Sequence, residues 1–324
     1  MKILDPAATA GVLAWPALVA AVEATIRDSK DGMAICPRRA SVPLADDAVW
    51  LLMPAWSSRA DVAACKLITV HGGNRQRGLP TIQGDIVVIR ASTGERLAML
   101  DGPTVTARRT AAVTALAIRR IREAREVAAR GSRHATVQAG GNRFVRCLII
   151  GCGVQGRSHL EAIAAIFPGT RFILYSRSAA SATRLAADAT AQGIQAHAVS
   201  AFEAELSDVD IVTCCTPATE PCLRELPREG AIIAAIGSFK PELSELAPAV
   251  MRHIGRNILL DSSDAGHEAG ELIQAGVDPE GLPTLLTWHD KALPEVAQTV
   301  LFKSCGSALW DLAAARAAVG AGPP

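Results

Sequence analysis

The chain has 324 residues, 49% of them apolar, so it can bury the core of two domains and is not a disordered segment. Its 33 basic and 32 acidic residues nearly cancel, which excludes the single-sign field expected of a nucleic-acid or membrane-surface partner. The eight cysteines contain no CxxC pair and no His/Cys spacing for a metal, so they read mostly as buried free thiols in a reducing cytosol.

Residues 1 to 33 read as helical, with Leu18, Val22 and Ile26 at i, i+4 and i+8. Asp5, Pro6 and Pro16 break this region into short helices, and it resembles neither a signal peptide nor a membrane span. From Ile35 the pattern turns to strands, at Val49 to Met53, Val62 to Val70, Asp85 to Arg90 and Arg96 to Leu100. The last two flank a glycine-containing hairpin connection at 91–95. This half is helices plus a mostly antiparallel sheet. A long helix follows, from about Val105 to Arg130, with Gly131 as its stop signal and a polar loop to Gly141.

Strands then alternate with helices. They fall near Phe144–Ile150, Phe172–Tyr175, Ile194–Val199, Ile211–Cys214, Ala231–Ile236 and Asn257–Leu260, the signature of a Rossmann-type doubly wound parallel sheet. A final helix is expected from about Val300 to Ala318, after Pro294, returning to the first domain. The fold class is therefore α/β, with an α+β domain over 1–118 completed by 297–324, and a dinucleotide-binding domain over 119–296.

The stretch Arg146 to His159 carries the most chemistry. A short branched-apolar run is followed by Gly151, Gly153 and Gly156 in GxGxxG spacing, and then by an amphipathic helix pattern. In that context Gly151 permits a tight turn, Gly153 lets the backbone approach a pyrophosphate, and Gly156 lets helix and strand pack closely. The helix N-terminus adds free N–H groups and partial positive charge. The alternative is a purely structural glycine turn. At the end of the next strand, Ser176-Arg177-Ser178 offers no carboxylate for a ribose 2′-hydroxyl. A guanidinium flanked by two hydroxyls suits a 2′-phosphate, which favours NADP(H) over NAD(H), unless Arg177 is simply solvated.

Two cations interrupt apolar faces. Lys66 shares a strand face with Ala64, Ile68 and Val70, and Arg109 shares a helix face with Val105, Val113 and Leu116. They read either as a snorkelling lysine and a bridging arginine or as a clamp for an anionic substrate. Arg39 is a third candidate, although by itself it reads as solvated. There is no GxSxG elbow and no HExxH, and none of the seven histidines has ligand spacing.

In order along the chain, Lys66-Leu67-Ile68-Thr69-Val70, Asn74 to Gly84, Leu100-Asp101-Gly102 and Thr106 to Ala112 resemble the ornithine cyclodeaminase/mu-crystallin family. The resemblance continues through Gly151–Gly156, Ile236-Gly237, Pro241, Glu245-Leu246 and Phe302 to Gly306. It implies a homodimer whose first domain binds substrate and forms the interface, and whose second domain holds a nicotinamide cofactor; with the free thiols, the expected location is cytoplasmic. It implies that Arg39 and Lys66 hold a substrate carboxylate, and that Thr81 and Arg109 lie beside the cofactor. Val154 and Gln155 match the turn over the pyrophosphate, Ser176 the ribose position, and Thr213 or Thr216 the cofactor border. Ser304 and Cys305 match residues near nicotinamide and substrate.

One departure matters. Where the family's cyclodeaminases carry an acidic residue two positions before a loop proline, this chain has Phe239, and Leu243 replaces a lysine. A phenyl ring cannot activate water or accept a proton. The resemblance then implies the ketimine reductase branch, using NADPH on the cyclic imino acids Δ1-pyrroline-2-carboxylate and Δ1-piperideine-2-carboxylate to give L-proline and L-pipecolate. Glu268, Lys66 or a water is the proton source. The other readings are an ornithine cyclodeaminase, an alanine or N-alkyl amino acid dehydrogenase, and a non-enzymatic NADP- and ligand-binding protein of mu-crystallin type.

Overall fold

The computed structural model describes residues 1–45, 48–131, 145–288, 293 and 295–320. The expected polar loop after Gly131, Phe144 at the start of a strand, His134, His289 and Pro294 lie outside the described residues. The chain divides into two compact units, Met1–Val113 with Ser307–Pro324, and Thr114–Gly306.

The first unit opens with β1 (Lys2–Leu4), α1 (Pro6–Val12) and α2 (Trp15–Lys30). The expectation of helix throughout this region fails at β1, which pairs in parallel with a later strand and so takes its conformation from a distant partner. Asp5 then caps α1 by accepting from the Ala8 N–H at 2.8 Å, and Pro6 occupies the first turn. The sheet continues with β2 (Ala34–Ile35), β3 (Ala40–Pro43), β4 (Val49–Ser57), β5 (Val62–Val70), β6 (Ile82–Arg90) and β7 (Arg96–Asp101). Its order is β1-β7-β6-β5-β4-β2, with β3 also on β4, and every pair except β1–β7 is antiparallel. Helix α3 (Gly102–Gly131) starts three residues before the expected Val105, because the Asp101 side chain accepts from the Thr104 N–H at 2.8 Å.

The second unit holds β8 (Arg146–Ile150), α4 (Val154–Ile166), β9 (Arg171–Tyr175), α5 (Ala179–Ala191), β10 (Ala196–Ala198), β11 (Ile211–Cys214) and β12 (Ile232–Ala235). They are followed by α6 (Pro248–Ile254), β13 (Ile258–Leu260), α7 (Ala265–Glu268), α8 (Gly270–Gln274) and β14 (Val300–Lys303). The seven strands form a wholly parallel, doubly wound sheet in the order β10-β9-β8-β11-β12-β14-β13. Its strands are buried on both faces, which is why they read as unbroken apolar runs.

Residues 300–303 correct the sequence reading. Val300-Leu301-Phe302-Lys303 is an interior strand between β12 and β13, and α9 (Ala308–Val319) begins only at Ala308, with Ser307 as its N-cap. An apolar run of three residues cannot be assigned to helix or strand by periodicity, and the strand wins because a parallel sheet offers partners on both sides. The segment that rejoins the first unit therefore starts at Ser307, not at 297, and the unit boundary near 118 falls at Val113–Thr114.

Candidate substrate and cofactor sites

In the first unit, the face of β5 that carries Ala64, Lys66 and Ile68 is buried beneath α9, which packs on β4 and β5. Lys66 is 1% exposed, and its Nζ lies 2.8 Å from Asp311 Oδ2 on α9. Arg109, from α3, donates through Nε to the other oxygen of Asp311, at 3.1 Å. Asp311 is also fully buried. Two cations on two elements thus share one carboxylate on a third, and the trio carries a net positive charge. Burial pushes the Lys66 ammonium down to about 8, against the upward pull of Asp311, with Arg109 and then Arg39 lowering it further. Half-buried Arg39 therefore belongs to the same electrostatic neighbourhood.

Asp311 was missed by the sequence reading. The signal was present, since Asp311 interrupts Ala308-Leu309-Trp310 and Leu312-Ala313-Ala314-Ala315, all buried, just as Lys66 interrupts its own strand. Thr81 is half-buried at the foot of β6, and its carbonyl accepts from the His71 N–H at 2.8 Å.

In the second unit, Gly151 leaves β8 with φ +102°, a conformation that a side chain would strain. A Cβ on Gly156 would sit 2.0 Å from the Gly151 carbonyl oxygen, so α4 can approach β8 only without one. A Cβ on Gly153 would meet nothing within 4 Å. The turn is tight at its two ends and open at its middle, where a phosphate needs room. Gly153 is the N-cap of α4 and supplies no side-chain cap, while Val154 at 71% exposure and half-buried Gln155 form the lip. The first N–H groups of α4 are thus left for a ligand. These features fit a dinucleotide pyrophosphate.

At the end of β9, Ser176 is half-buried and Arg177 is exposed. Ser178 is the N-cap of α5, and its hydroxyl accepts from that of Ser181 at 3.1 Å. Among the described residues Arg177 has no ion pair. Of the two threonine candidates, Thr213 is fully buried within the sheet, its hydroxyl 4.0 Å from the Cys147 sulfur, and so does not border a crevice. Thr216, two residues past β11, does stand at the sheet's C-terminal edge. Its N–H and hydroxyl both donate to Glu245 Oε1, at 2.6 and 2.9 Å.

The remaining predicted residues of this unit follow β14 and β13. Ser304 is buried and donates to Asp261 Oδ2 at 2.7 Å, an oxygen that also accepts from the Gly306 N–H at 2.8 Å. The Cys305 thiol faces the Ser238 carbonyl at 3.6 Å. Glu268 closes α7 and is half-buried. Phe239 is 46% exposed in the loop after β12. Lys303 is fully buried, 3.4 Å from Glu271; burial lowers its ammonium, but Glu271, then Cys305 and Glu245, together hold it above its ordinary value. None of the eight cysteines forms a disulfide, and only Cys147 and Cys214 are fully buried, fewer than the composition suggested. Among the described residues no group of His, Cys, Asp and Glu is arranged to hold a metal.

A family model described as "Ornithine cyclodeaminase/mu-crystallin family" matches residues 7–319. The chain is 38% identical over 316 residues to Delta(1)-pyrroline-2-carboxylate reductase 2 of Burkholderia ambifaria, spanning 97% of this chain and 94% of that protein. It is likewise 38% identical over 324 residues to the Delta(1)-pyrroline-2-carboxylate/Delta(1)-piperideine-2-carboxylate reductase of Azospirillum brasilense, spanning 98% and 95%. Among solved structures, the Thermococcus litoralis Delta(1)-pyrroline-2-carboxylate reductase in complex with NADH and L-proline superposes with a TM-score of 0.81 at 24% identity, covering 98% of this chain and 96% of that one, a likeness of fold.

Proposed function

This chain belongs to the ornithine cyclodeaminase/mu-crystallin family, and on that premise we propose that it is an NADPH-dependent ketimine reductase acting on small cyclic imino acids. Its substrates are Δ1-pyrroline-2-carboxylate and Δ1-piperideine-2-carboxylate, and its products L-proline and L-pipecolate. The observation that carries the reading is the buried excess of positive charge at Lys66, Arg109 and Asp311. Burying an uncompensated cation is costly, and a substrate carboxylate offsets that cost on binding. An aliphatic imino acid otherwise offers the protein little to grip.

When bound, the reduced nicotinamide supplies the hydride. The chain's part is to hold and orient. Lys66, Arg109 and Arg39 hold the carboxylate and thereby fix the ring. The turn Gly151 to Gly156 holds the pyrophosphate, and Ser176, Arg177 and Ser178, with no carboxylate among them, take a 2′-phosphate. The imine nitrogen enters as the iminium or takes its proton from Lys66, Glu268 or a water. Lys66, held at about 8, gives up a proton more readily than an exposed lysine would.

Phe239 favours reduction over ornithine cyclisation. Cyclisation oxidises an amine, expels ammonia and reduces a ring imine, and the proton transfers need an acid/base worth about 10²–10⁴-fold. Reduction of a preformed ring omits those steps. The decisive assay supplies NADPH or NADH with each cyclic imine, and in parallel ornithine with NAD. The expected result is NADPH consumption with the imines and no ammonia from ornithine. Ammonia release at a matching rate would overturn the reading, and tight NADPH binding without turnover would favour a non-enzymatic binding protein.

The outward face of the first unit's sheet supports a homodimer. Trp50 and Trp56 remain 38% and 37% exposed there. Pro37, Pro54, Trp56, Ala63, Cys65 and Val87 line an apolar groove of about 300 Å³. A second copy covering this face would remove it from water. Light scattering on the purified chain is expected to give twice the monomer mass.

A further inference from the structure

We propose that Glu245 is a positioning residue that holds the two loops beyond β11 and β12 in the conformation that receives the nicotinamide half of the cofactor. The inference rests on the dinucleotide reading above and adds to it a residue for which that reading has no role.

Glu245 is fully buried. Its Oε1 accepts from the N–H and hydroxyl of Thr216, at 2.6 and 2.9 Å. Its Oε2 accepts from the N–H groups of Ile236 and Gly237, at 3.0 and 2.6 Å. One carboxylate therefore accepts from two donors of the loop after β11 with one oxygen and from two N–H groups just past β12 with the other. The two loops touch. A Cβ on Gly237 would lie 1.8 Å from the Thr216 carbonyl oxygen, and a Cβ on Gly151 would lie 2.7 Å from that of Cys215. The edge at which β8, β11 and β12 end is thus a row of backbones in close approach, with Glu245 as its tie.

The placement of a dinucleotide on such a sheet gives this tie a function. The adenosine half belongs with Gly151 to Gly156 and the end of β9, and the molecule crosses the strand ends where the chain order reverses, between β8 and β11. Its other half then lies over the ends of β11 and β12, which is where Glu245 sets the backbone. Glu245 itself is fully buried beneath that surface and acts through the backbone it holds.

Neighbouring charges keep the tie in place. Glu271 on α8 accepts from the Ser238 hydroxyl at 2.6 Å and from the Glu245 N–H at 3.2 Å, and Lys303 on β14 lies 3.4 Å from Glu271. Burial raises the Glu245 carboxyl, Lys303 pulls it back down, and Glu271 raises it again. Its four donors favour the carboxylate, because a protonated oxygen would present a hydrogen to an N–H.

The test is Glu245→Gln. A glutamine has one oxygen and one NH₂, so on either orientation one loop meets a donor with donors and is released. By titration calorimetry, NADPH is expected to bind about 10-fold more weakly, while 2′-phospho-ADP-ribose, which lacks the nicotinamide, binds within about 2-fold of wild type. If wild type prefers NADH, then NADH and ADP-ribose replace them. Thr216→Val, which removes one of the four donors, should move NADPH in the same direction by less. Unchanged NADPH affinity in Glu245→Gln would overturn the proposal, and so would an equal loss of both ligands, which marks a general unfolding of the unit. If the wild type binds neither dinucleotide, the dinucleotide reading itself falls and this proposal with it.

Discussion

Each unit buries a three-charge cluster, and the two clusters have opposite excess. In the first, Lys66 and Arg109 share Asp311, leaving one positive charge over. In the second, Glu245 and Glu271 share Lys303, leaving one negative charge over. The protein answers the two excesses differently. The carboxylate excess is met internally, by four backbone and hydroxyl donors on Glu245 and by the Ser238 hydroxyl on Glu271. The donors on Glu245 come from the chain after β11 and from the chain after β12, so this cluster ties two loops together. Among the described residues Asp311 is the carboxylate that Lys66 and Arg109 share, and under the proposed function the charge left over takes the substrate carboxylate. Under the two proposals above, the cluster with the negative excess is a structural tie and the one with the positive excess a receptor.

The comparison is broken most severely at Lys66. Lys66→Met makes the first cluster neutral, and kcat/KM for the cyclic imine is expected to fall by on the order of 2–4 kcal/mol. Methionine fits the apolar face of β5, so thermal unfolding should be cooperative as in wild type. Full activity would return Lys66 to a structural role. In the second cluster, Gly237→Ala drives a Cβ into the Thr216 carbonyl and should destabilise the protein by about 1–3 kcal/mol in chemical denaturation, since the obstacle is backbone and cannot rotate away.

A smaller effect sharpens the comparison through pH. Lys66 loses its proton near pH about 8, so the KM for the imine should rise above that pH in wild type. Asp311 is what holds the Lys66 proton against burial, so Asp311→Asn should move this limb down by about one unit or more. Stability moves in the opposite sense. Between about 8 and the ordinary 10.5 the unfolded chain holds the Lys66 proton and the folded chain does not, so unfolding free energy should rise with pH across that window. A KM independent of pH from 7 to 9 would refute the clamp. The smallest effect is expected at Arg177, outside both clusters. Arg177→Ala should raise the KM for NADPH about 10-fold more than that for NADH, the scale of one charged hydrogen bond. Equal use of both cofactors by the wild type would remove the basis for this expectation.

The sequence alone determined the features that depend on local pattern. The alternation of apolar runs with amphipathic segments fixed the doubly wound sheet, and the spacing of Gly151, Gly153 and Gly156 fixed the turn, because each rests on a few consecutive residues whose sterics do not change with context. Lys66 and Arg109 stood out for the same reason, as charges on faces whose period demands burial. The tertiary structure decided which charge answers which. Asp311 lies 202 positions from Arg109, and Glu245 reaches back 29 positions to Thr216, so neither pairing leaves a trace in any window of sequence. It also decided β1 and β14, short apolar segments whose conformation is set by distant strands on their flanks. An ion pair or a parallel strand forms between groups that the chain brings together only after long loops have closed, and the energy that selects it is absent from the segment itself.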